Sequence, residues 1–107
     1  MKKINGILAS KGNCEGRVVF FDNGNDNKKI KEDSIIIADN LSKEHNKIIL
    51  KVKAIISTHG GITSHAPIVC RELKKPCIVN CNNAREIFVE GQEIILDAND
   101  LSFQIKK

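Results

Sequence analysis

The sequence predicts one α/β domain over residues 1–107, with a parallel central sheet and a smaller antiparallel sheet. Its length suits a single domain with one modest hydrophobic core. Strand and helix patterns alternate through the middle of the chain, which is typical of a parallel sheet. Both ends carry strand patterns separated by turn residues, which favours antiparallel pairing.

The N-terminal third predicts three strands and one polar loop. Apolar periodicity indicates strands over residues 3–9 and 17–21, joined by the turn-rich residues 10–16. Residues 22–33 form a polar loop rich in Asn, Asp and Lys. Residues 34–38 (SIIIA) are a β-branched apolar run, which predicts a strand buried on both faces.

The middle third predicts a helix and then a second buried strand. Ser42 is a suitable N-cap for a helix that ends near Val52, with Ile48, Ile49 and Val52 on one apolar face. Residues 54–58 (AIIST) predict another buried strand. Two strands joined by a helix in this way form a parallel unit.

A second helix is predicted over residues 64–73. Its apolar positions are Ala66, Val69, Cys70 and Leu73, which follow the i, i+3, i+4, i+7 pattern of a single buried face. The Lys-Lys-Pro sequence that follows ends the helix, because cations suit a helix C-terminus and proline cannot continue the hydrogen bonding.

The C-terminal third predicts a strand, a short helical turn and two closing strands around an Asn-Asp turn. Their ranges are 77–80, 84–88, 93–98 and 102–105. Strand alternation puts Cys77 and Cys81 on one face. No CxxC pair occurs among the four cysteines, so the sequence predicts packed, reduced thiols and no metal site.

The composition excludes several classes of protein. Charged residues make up 28% of the chain and the net charge is +4, with lysines scattered along it, so we expect a solvated surface and no disorder. The chain has no Trp or Tyr and no dense basic stripe, which disfavours nucleic-acid binding. No segment resembles a signal peptide or a membrane span, so we expect a cytoplasmic protein.

The start of the second helix carries the candidate site. Thr63 or Ser64 is a suitable N-cap, which makes His65 the first helical residue. The positive end of the helix favours an anion and a neutral, nucleophilic imidazole. Gly60 and Gly61 carry no side chains and so let a phosphate donor come close. The turn follows a parallel strand, a usual place for sites in such sheets.

Each of these residues also has an ordinary structural interpretation. A histidine beside a turn is often a surface residue, a Gly-Gly pair is often just a turn, and the two hydroxyls can be caps alone. Arg71 lies about 240° around the helix from His65, so we expect it to contact a salt-bridge partner or another protein rather than the phosphate itself. His45 and His59 are predicted to be surface residues.

The stretch GGITSHAPIVCRELKKPCIVN closely resembles the phosphohistidine signature of phosphoenolpyruvate (PEP)-utilising enzymes. GILASKGNCEGRVVF, EDSIIIADN, AIISTHGG and VEGQEIILDAND are similar to the family's other segments, so the likeness covers nearly the whole chain. The family is the mobile, or swivelling, domain of pyruvate phosphate dikinase, PEP synthase, phosphotransferase-system enzyme I and rifampicin phosphotransferase. Pro67 and Lys74-Lys75 depart from its pattern but leave the histidine unchanged.

This resemblance implies a three-layer β/β/α domain that shuttles phosphoryl groups between two active sites. His65 matches the phosphorylated histidine, and Thr63 matches a threonine that helps hold the phosphate. The family phosphorylates the ring nitrogen remote from the backbone. The domain is expected to bind no cofactor itself and to be a monomer on its own.

The resemblance also implies partners, because the chain shows no Gly-rich nucleotide loop and no carboxylate cluster for magnesium. We expect an ATP-grasp nucleotide-binding subunit and a PEP/pyruvate barrel subunit to act in trans, with Mg²⁺, ATP and PEP bound there. The chain is then a free-standing subunit or an excised domain. Two alternatives stay open: a phosphocarrier for another acceptor, as in rifampicin phosphotransferase or enzyme I, and a non-catalytic scaffold module.

Overall fold

A computed structural model describes residues 1–22 and 29–106 as eight strands and three helices. The strands are β1 (Lys2–Lys3), β2 (Ile7–Ser10), β3 (Asn13–Phe20), β4 (Ser34–Ala38), β5 (Ala54–Ser57), β6 (Cys77–Val79), β7 (Glu93–Asp97) and β8 (Ser102–Ile105). The helices are α1 (Asn46–Lys51), α2 (His65–Leu73) and α3 (Ala84–Ile87). Half of the loop predicted over 22–33, residues 23–28, lies outside the described residues.

The predicted parallel centre is confirmed. Strands β3, β4, β5 and β6 lie side by side in that order and pair in parallel with one another; α1 is the crossover from β4 to β5, and α2 the crossover from β5 to β6. Strands β4 and β5 are fully buried, as their β-branched runs predict. The registers bring Ile37 beside Phe20 on one side and beside Ile56 on the other.

The antiparallel strands extend the same sheet. The strand order is β1-β8-β7-β3-β4-β5-β6-β2, and the first three strands and the last one pair antiparallel with their neighbours. The sequence predicted a second, smaller sheet, whereas these strands are hydrogen-bonded to the parallel centre through β3 and β6. The chain is therefore a mixed α/β domain built on one eight-stranded sheet.

Two apolar clusters cover the two faces of this sheet. Strand alternation sends Ile35 and Ile37 into one cluster and Ile36 into the other. The helix-side cluster includes Ala66 and Cys70 of α2. The other cluster is completed by residues of the antiparallel strands and α3, namely Ala84, Phe88, Ile94, Leu96 and Phe103. Each face of the central strands is thus buried by a different layer of the chain.

The N-terminal strands differ most from the prediction. The single strand expected over 3–9 is divided into β1 and β2, which pair with opposite edges of the sheet. Gly6 lies at the break, where a Cβ atom would meet the Val79 carbonyl oxygen at 3.0 Å and Ile78 Cγ2 at 2.9 Å. Strand β3 begins at Asn13 rather than at 17, because Asn13 to Gly16 pair with β7.

The two main helices begin close to the predicted residues. A 3-10 turn at Lys43–His45 precedes α1, and Ile49 and Val52 are buried as expected while Ile48 is only half-buried. Helix α2 covers its predicted range, but Leu73 is 40% exposed because the helix ends there, with Lys74 in the left-handed conformation. Among the described residues, the helices are too short or too polar to cross a bilayer.

The prediction that Cys77 and Cys81 share a face is wrong. Strand β6 ends at Val79, and Asn80 adopts a positive φ of 55°, which interrupts the alternation. Cys77 therefore packs on the helix side and Cys81 in the opposite cluster. Burial raises the pKa of the Cys81 thiol, which favours its neutral form.

Candidate functional site

The candidate site is the loop between β5 and α2, at the C-terminal edge of the parallel strands. The loop is held to the neighbouring strand end by two backbone hydrogen bonds, from Thr58 N to Ala38 O (2.8 Å) and from His59 N to Asp39 O (3.1 Å). The chain then turns through the two glycines and enters α2 at His65. The topology therefore places this loop at the C-terminal end of a parallel strand, as the sequence predicts.

The two glycines of this loop are not equivalent. Gly60 has a φ of +90°, and a Cβ atom there would lie 3.0 Å from Ser64 Oγ and 3.6 Å from Asn40 Oδ1. Gly61 is exposed, and no described atom lies within 4 Å of where its Cβ would be. The turn therefore requires glycine at position 60, while position 61 is open to anything that approaches the loop.

The hydroxyl of Ser64 faces the loop rather than the helix. Ser64 is the N-cap residue of α2 by backbone geometry, yet it makes no side-chain cap hydrogen bond to the described helix. Its Oγ instead accepts a hydrogen bond from Gly61 N at 3.2 Å. Thr63 is exposed in the turn just before it. The N–H groups of His65 and Ala66 in the first turn of α2 therefore receive no side-chain cap from Ser64, and Pro67 has no N–H to cap.

His65 is half-buried, and its ring makes one side-chain hydrogen bond within the part of the chain that the structure describes. Its Nε2 lies 2.6 Å from Oδ1 of Asn46, the first residue of α1. The two residues are 19 positions apart in sequence. Because α1 and α2 are both crossovers of the parallel sheet, their N-termini lie at the same edge, and this brings the two side chains together.

Asn46 is the site residue that the sequence analysis missed. It lies within the predicted helix and has no periodic or motif signal of its own. Its contact with His65 depends on how two helices pack on the sheet, which a single sequence does not reveal. Only its position four residues after the predicted N-cap Ser42, near a strand end, distinguishes it from other exposed asparagines.

Arg71 supports the loop instead of reaching the histidine. Its Nη2 donates a hydrogen bond to Ile62 O at 2.8 Å, and its Nη1 donates one to Ala9 O at 3.0 Å. The expected salt bridge is therefore replaced by two backbone carbonyl contacts. The guanidinium group joins the turn before His65 to the end of β2, a task that suits its planar, forked set of donors.

A polar chain anchors the other side of the loop. Asp39 Oδ1 accepts hydrogen bonds from Thr58 Oγ1 at 2.8 Å and from Arg85 Nη2 at 3.1 Å. The pKa of the Asp39 carboxyl is lowered, first by the Thr58 hydrogen bond and then by Arg85. The Thr58 hydroxyl also contacts Nδ1 of His59 at 2.7 Å. A groove of about 400 Å³ lies beside this chain, lined by Phe21, Asp22, Asp39, Asn40 and Arg85.

The other two histidines have different surroundings. His59 is exposed, as predicted. His45 was predicted to be a surface residue, but its side chain is only 11% exposed, which corrects that prediction. Its Nδ1 accepts a hydrogen bond from Ser42 N at 3.0 Å, and its ring packs edge-on against Phe21 with centroids 5.2 Å apart. Local capping and packing therefore bury the His45 ring.

Comparison with protein families gives one match that covers the site. Residues 30–100 match the family model described as "PEP-utilising enzyme, mobile domain". The matched range includes β4, α1, β5, the glycine loop, α2 and β6. It also contains every residue that the sequence analysis placed at the site.

Individual relatives are longer proteins. A probable phosphoenolpyruvate synthase of Methanothermobacter thermautotrophicus is 33% identical over 96 residues, which is 90% of this chain but only 14% of that protein. The phosphoenolpyruvate synthase of Pyrococcus furiosus is also 33% identical, and the aligned part is 88% of this chain and 12% of the relative. The chain thus spans about one seventh or less of these two relatives.

Among solved structures, a solution structure of an Enzyme I protein superposes with a TM-score of 0.56. The superposition covers 71% of this chain and 31% of that one, at 24% identity. At that level of identity the likeness concerns the fold alone.

Proposed function

The chain belongs to the family of PEP-utilising enzyme mobile domains, and from this premise we propose that it carries a phosphoryl group on His65. The phosphoryl group travels between an ATP-binding partner and a PEP- or pyruvate-binding partner, in a reaction of the PEP synthase or pyruvate phosphate dikinase type. The chain is then one component of a phosphotransferase, and its catalytic activity depends on those partners.

The observation that carries this proposal is the position of His65 as first residue of α2, behind the Gly60 turn. The helix end supplies unpaired N–H groups and a positive partial charge to a phosphoryl group on the imidazole. Exposed Thr63 and the open position at Gly61 leave this side of the loop accessible. Binding anions at such a place is common in proteins.

The chemical step needs little from this domain beyond placement and charge. The lone pair of Nε2 attacks phosphorus, the bond between phosphorus and the donor oxygen breaks, and that oxygen leaves with the electron pair. The imidazole proton passes to solvent or to the leaving group. In phosphoryl transfer, most of the catalysis comes from positioning and electrostatic stabilisation. His65 is the nucleophile, and Thr63 and Ser64 supply hydroxyl groups at the same helix end.

Partner proteins or domains complete the proposal. The chain corresponds to a small part of its curated relatives, so we assign the nucleotide, Mg²⁺ and PEP sites to partners acting in trans. The proposal includes the three-layer β/β/α arrangement and the swivelling motion that the family resemblance implies, and it keeps the cytoplasmic location expected from the sequence.

The test is label transfer to the purified chain in an extract of the source cells. Wild type and His65→Ala are each incubated with PEP labelled on phosphate and with ATP labelled at the β or γ position. Acid-labile, base-stable label on wild type alone is the expected result. Label from β-labelled ATP supports the dikinase type, and label from PEP alone supports an enzyme I-like carrier.

Two results would contradict the proposal. Label that persists in His65→Ala places the phosphoryl group on another residue. No label from any donor favours a scaffold module, for which a histidine at a helix N-terminus has no chemical role.

A further inference from the structure

We infer that Asn46 is a positioning residue for phosphoryl transfer to His65, an inference that rests on the proposed function. Its side-chain carbonyl holds the resting imidazole at Nε2. Its amide NH₂ then donates a hydrogen bond to a phosphoryl oxygen once Nε2 carries the phosphoryl group. Asn46 thus contacts the reacting nitrogen in one state and the transferred group in the other.

The resting contact fixes the ring by a short hydrogen bond. The 2.6 Å distance joins Nε2 to the carbonyl oxygen Oδ1, which can only accept. With Oδ1 facing the ring, Nε2 is the donor, so the inferred resting imidazole has Nε2–H and an unprotonated Nδ1. Since this is the one side-chain hydrogen bond of His65 among the described residues, Asn46 sets both the tautomer and the ring orientation.

The backbone of Asn46 is fixed while its side chain is free to turn. Its backbone N–H bonds to Lys43 O, so Asn46 closes the 3-10 turn and opens α1 at the same time. Its side chain is exposed, and exposed side chains change rotamer within nanoseconds or faster. The side chain can therefore leave Nε2 and return far faster than a phosphoryl group is transferred.

For transfer, the side-chain amide of Asn46 must rotate so that its NH₂ group, rather than its carbonyl oxygen, faces the phosphoryl group. The proton of Nε2 moves through water to Nδ1, and the Nε2 lone pair that this exposes forms the bond to phosphorus. The carbonyl oxygen of Asn46 would then repel the phosphoryl oxygens, so the amide turns and presents its two N–H donors. Hydrogen bonds from a neutral donor to a charged oxygen are stronger than those between neutral groups.

The two halves of this role are separated by two substitutions. Asn46→Asp keeps a carbonyl-type acceptor of nearly the same shape but replaces the NH₂ donors by a negative charge. Asn46→Ala removes both the acceptor and the donors. Lys47→Ala changes the next exposed residue of α1 and is the matched control, because it perturbs the same helix turn without touching His65.

The experiment uses phosphoramidate, a small donor that needs no partner protein. Its phosphorus–nitrogen bond breaks, the phosphoryl group joins His65 Nε2, and ammonia leaves with the proton that the imidazole gives up. Residue-resolved ¹⁵N spectra of the histidine rings report the resting tautomer. Loss of the unphosphorylated His65 signals with time reports the transfer rate at that residue alone.

The expected results differ for each variant. Wild type and Asn46→Asp show a predominant Nε2–H tautomer at His65, whereas Asn46→Ala shows a mixture. We expect phosphorylation of Asn46→Ala to be about tenfold slower than wild type, the value of one lost hydrogen bond to a charged group. Asn46→Asp is expected to be at least about a hundredfold slower, because its carboxylate lies near the incoming dianion. Lys47→Ala is expected to match wild type.

Several outcomes would overturn the inference. Identical His65 ring signals in wild type and Asn46→Ala would show that Asn46 does not set the resting tautomer. Phosphorylation of Asn46→Asp at the wild-type rate would show that Asn46 does not contact the phosphoryl group during transfer. The phosphoramidate reaction is separate from label transfer in extract, so failure of the proposed function and failure of the Asn46 role are distinguishable. If Asn46→Ala loses its fold, the tautomer of wild type still tests the resting contact, because the inference requires a predominant Nε2–H form, and Asn46→Asp tests the contact with the phosphoryl group.

Discussion

The starts of α1 and α2 each hold a histidine, and the two imidazoles differ in the groups that hold them. At the start of α1, the His45 ring accepts a backbone hydrogen bond from Ser42 and packs against Phe21. At the start of α2, the His65 ring is held by a single exposed side chain, Asn46. Both sites lie at the same edge of the sheet.

The difference separates an imidazole held by fixed groups from one that the rotation of a surface side chain can release. The His45 ring is bound to fixed groups, a backbone N–H and an aromatic ring, so releasing it means disrupting the turn before α1. The contact of His65 can be broken by rotation of one surface side chain. The glycine loop before α2 is also open at Gly61, where no described atom lies within 4 Å of the missing side chain.

The largest expected effect comes from replacing each of the two histidines by alanine in turn. His65→Ala is expected to abolish the acid-labile label and to leave the unfolding free energy nearly unchanged, because the ring makes one exposed contact. His45→Ala is expected to keep the label and to cost about 1 kcal/mol of stability through the lost capping hydrogen bond. Label transfer and urea unfolding on both variants measure this; equal loss of label in the two would contradict the comparison.

The next effect tests why the loop before α2 needs glycine at one position only. Gly60→Ala forces a side chain into a positive φ and within 3.0 Å of Ser64 Oγ, so we expect a loss of about 1–2 kcal/mol. Urea unfolding checks the value.

The matched control is Gly61→Ala, which meets open space and is expected to stay within about 0.5 kcal/mol of wild type. Equal destabilisation by the two substitutions would show that the loop conformation around Gly60 is different from the one described.

A smaller effect is expected from weakening the hydrogen bonds by which Arg71 supports the loop before α2. Arg71→Lys keeps the charge but cannot donate to Ile62 O and Ala9 O together, and we expect it to cost about 1 kcal/mol. The rate of phosphorylation by phosphoramidate is expected to fall several-fold as the loop loosens. An unchanged rate together with lower stability would limit Arg71 to a structural role.

The smallest effect is the pH dependence of the anchor at Asp39. Its pKa is lowered in the folded state by Thr58 and Arg85, so the stability it contributes is present above the unfolded pKa of about 4 and is lost as pH falls through the folded pKa. Asp39→Asn is therefore expected to be less stable than wild type at pH 7, with the difference shrinking below about pH 4. Because the carboxyl is exposed, the difference is expected to stay below about 1 kcal/mol.

Urea unfolding of wild type and Asp39→Asn at pH 7 and pH 3 measures this dependence. A difference that grows on acidification would have the opposite sign and would contradict the assigned contacts.

Much of the fold follows from local patterns. The runs at β4 and β5 are apolar except for one serine at an end of each, and only burial on both faces stabilises such strands, so the parallel centre could be predicted. Helix α2 could be predicted as well, because its apolar spacing and the residues at its two ends agree. The edge strands β1 and β2 could not be predicted, because the break between them at Gly6 is set by contact with Val79 and Ile78, which lie more than seventy residues away.

The candidate site shows the same division. A motif with a helix start was enough to select His65 and the glycine loop. The sequence could not indicate that Arg71 reaches Ile62 and Ala9, because helical angles describe Cα positions while a long side chain reaches across elements. The contact between Asn46 and His65 could not be predicted for a related reason, since it joins two different helices.

By itself, the sequence determined the parallel core, the helix that begins at His65 and the family to which the chain is similar. These depend on periodicity, capping and short motifs, which are interactions among near neighbours in the chain. Only the tertiary structure decided that one sheet includes the antiparallel strands, that the His45 ring packs against Phe21 and that Asn46 holds His65. Those features arise where strand pairing and helix packing bring together residues that are distant in sequence, and local propensity carries no information about such contacts.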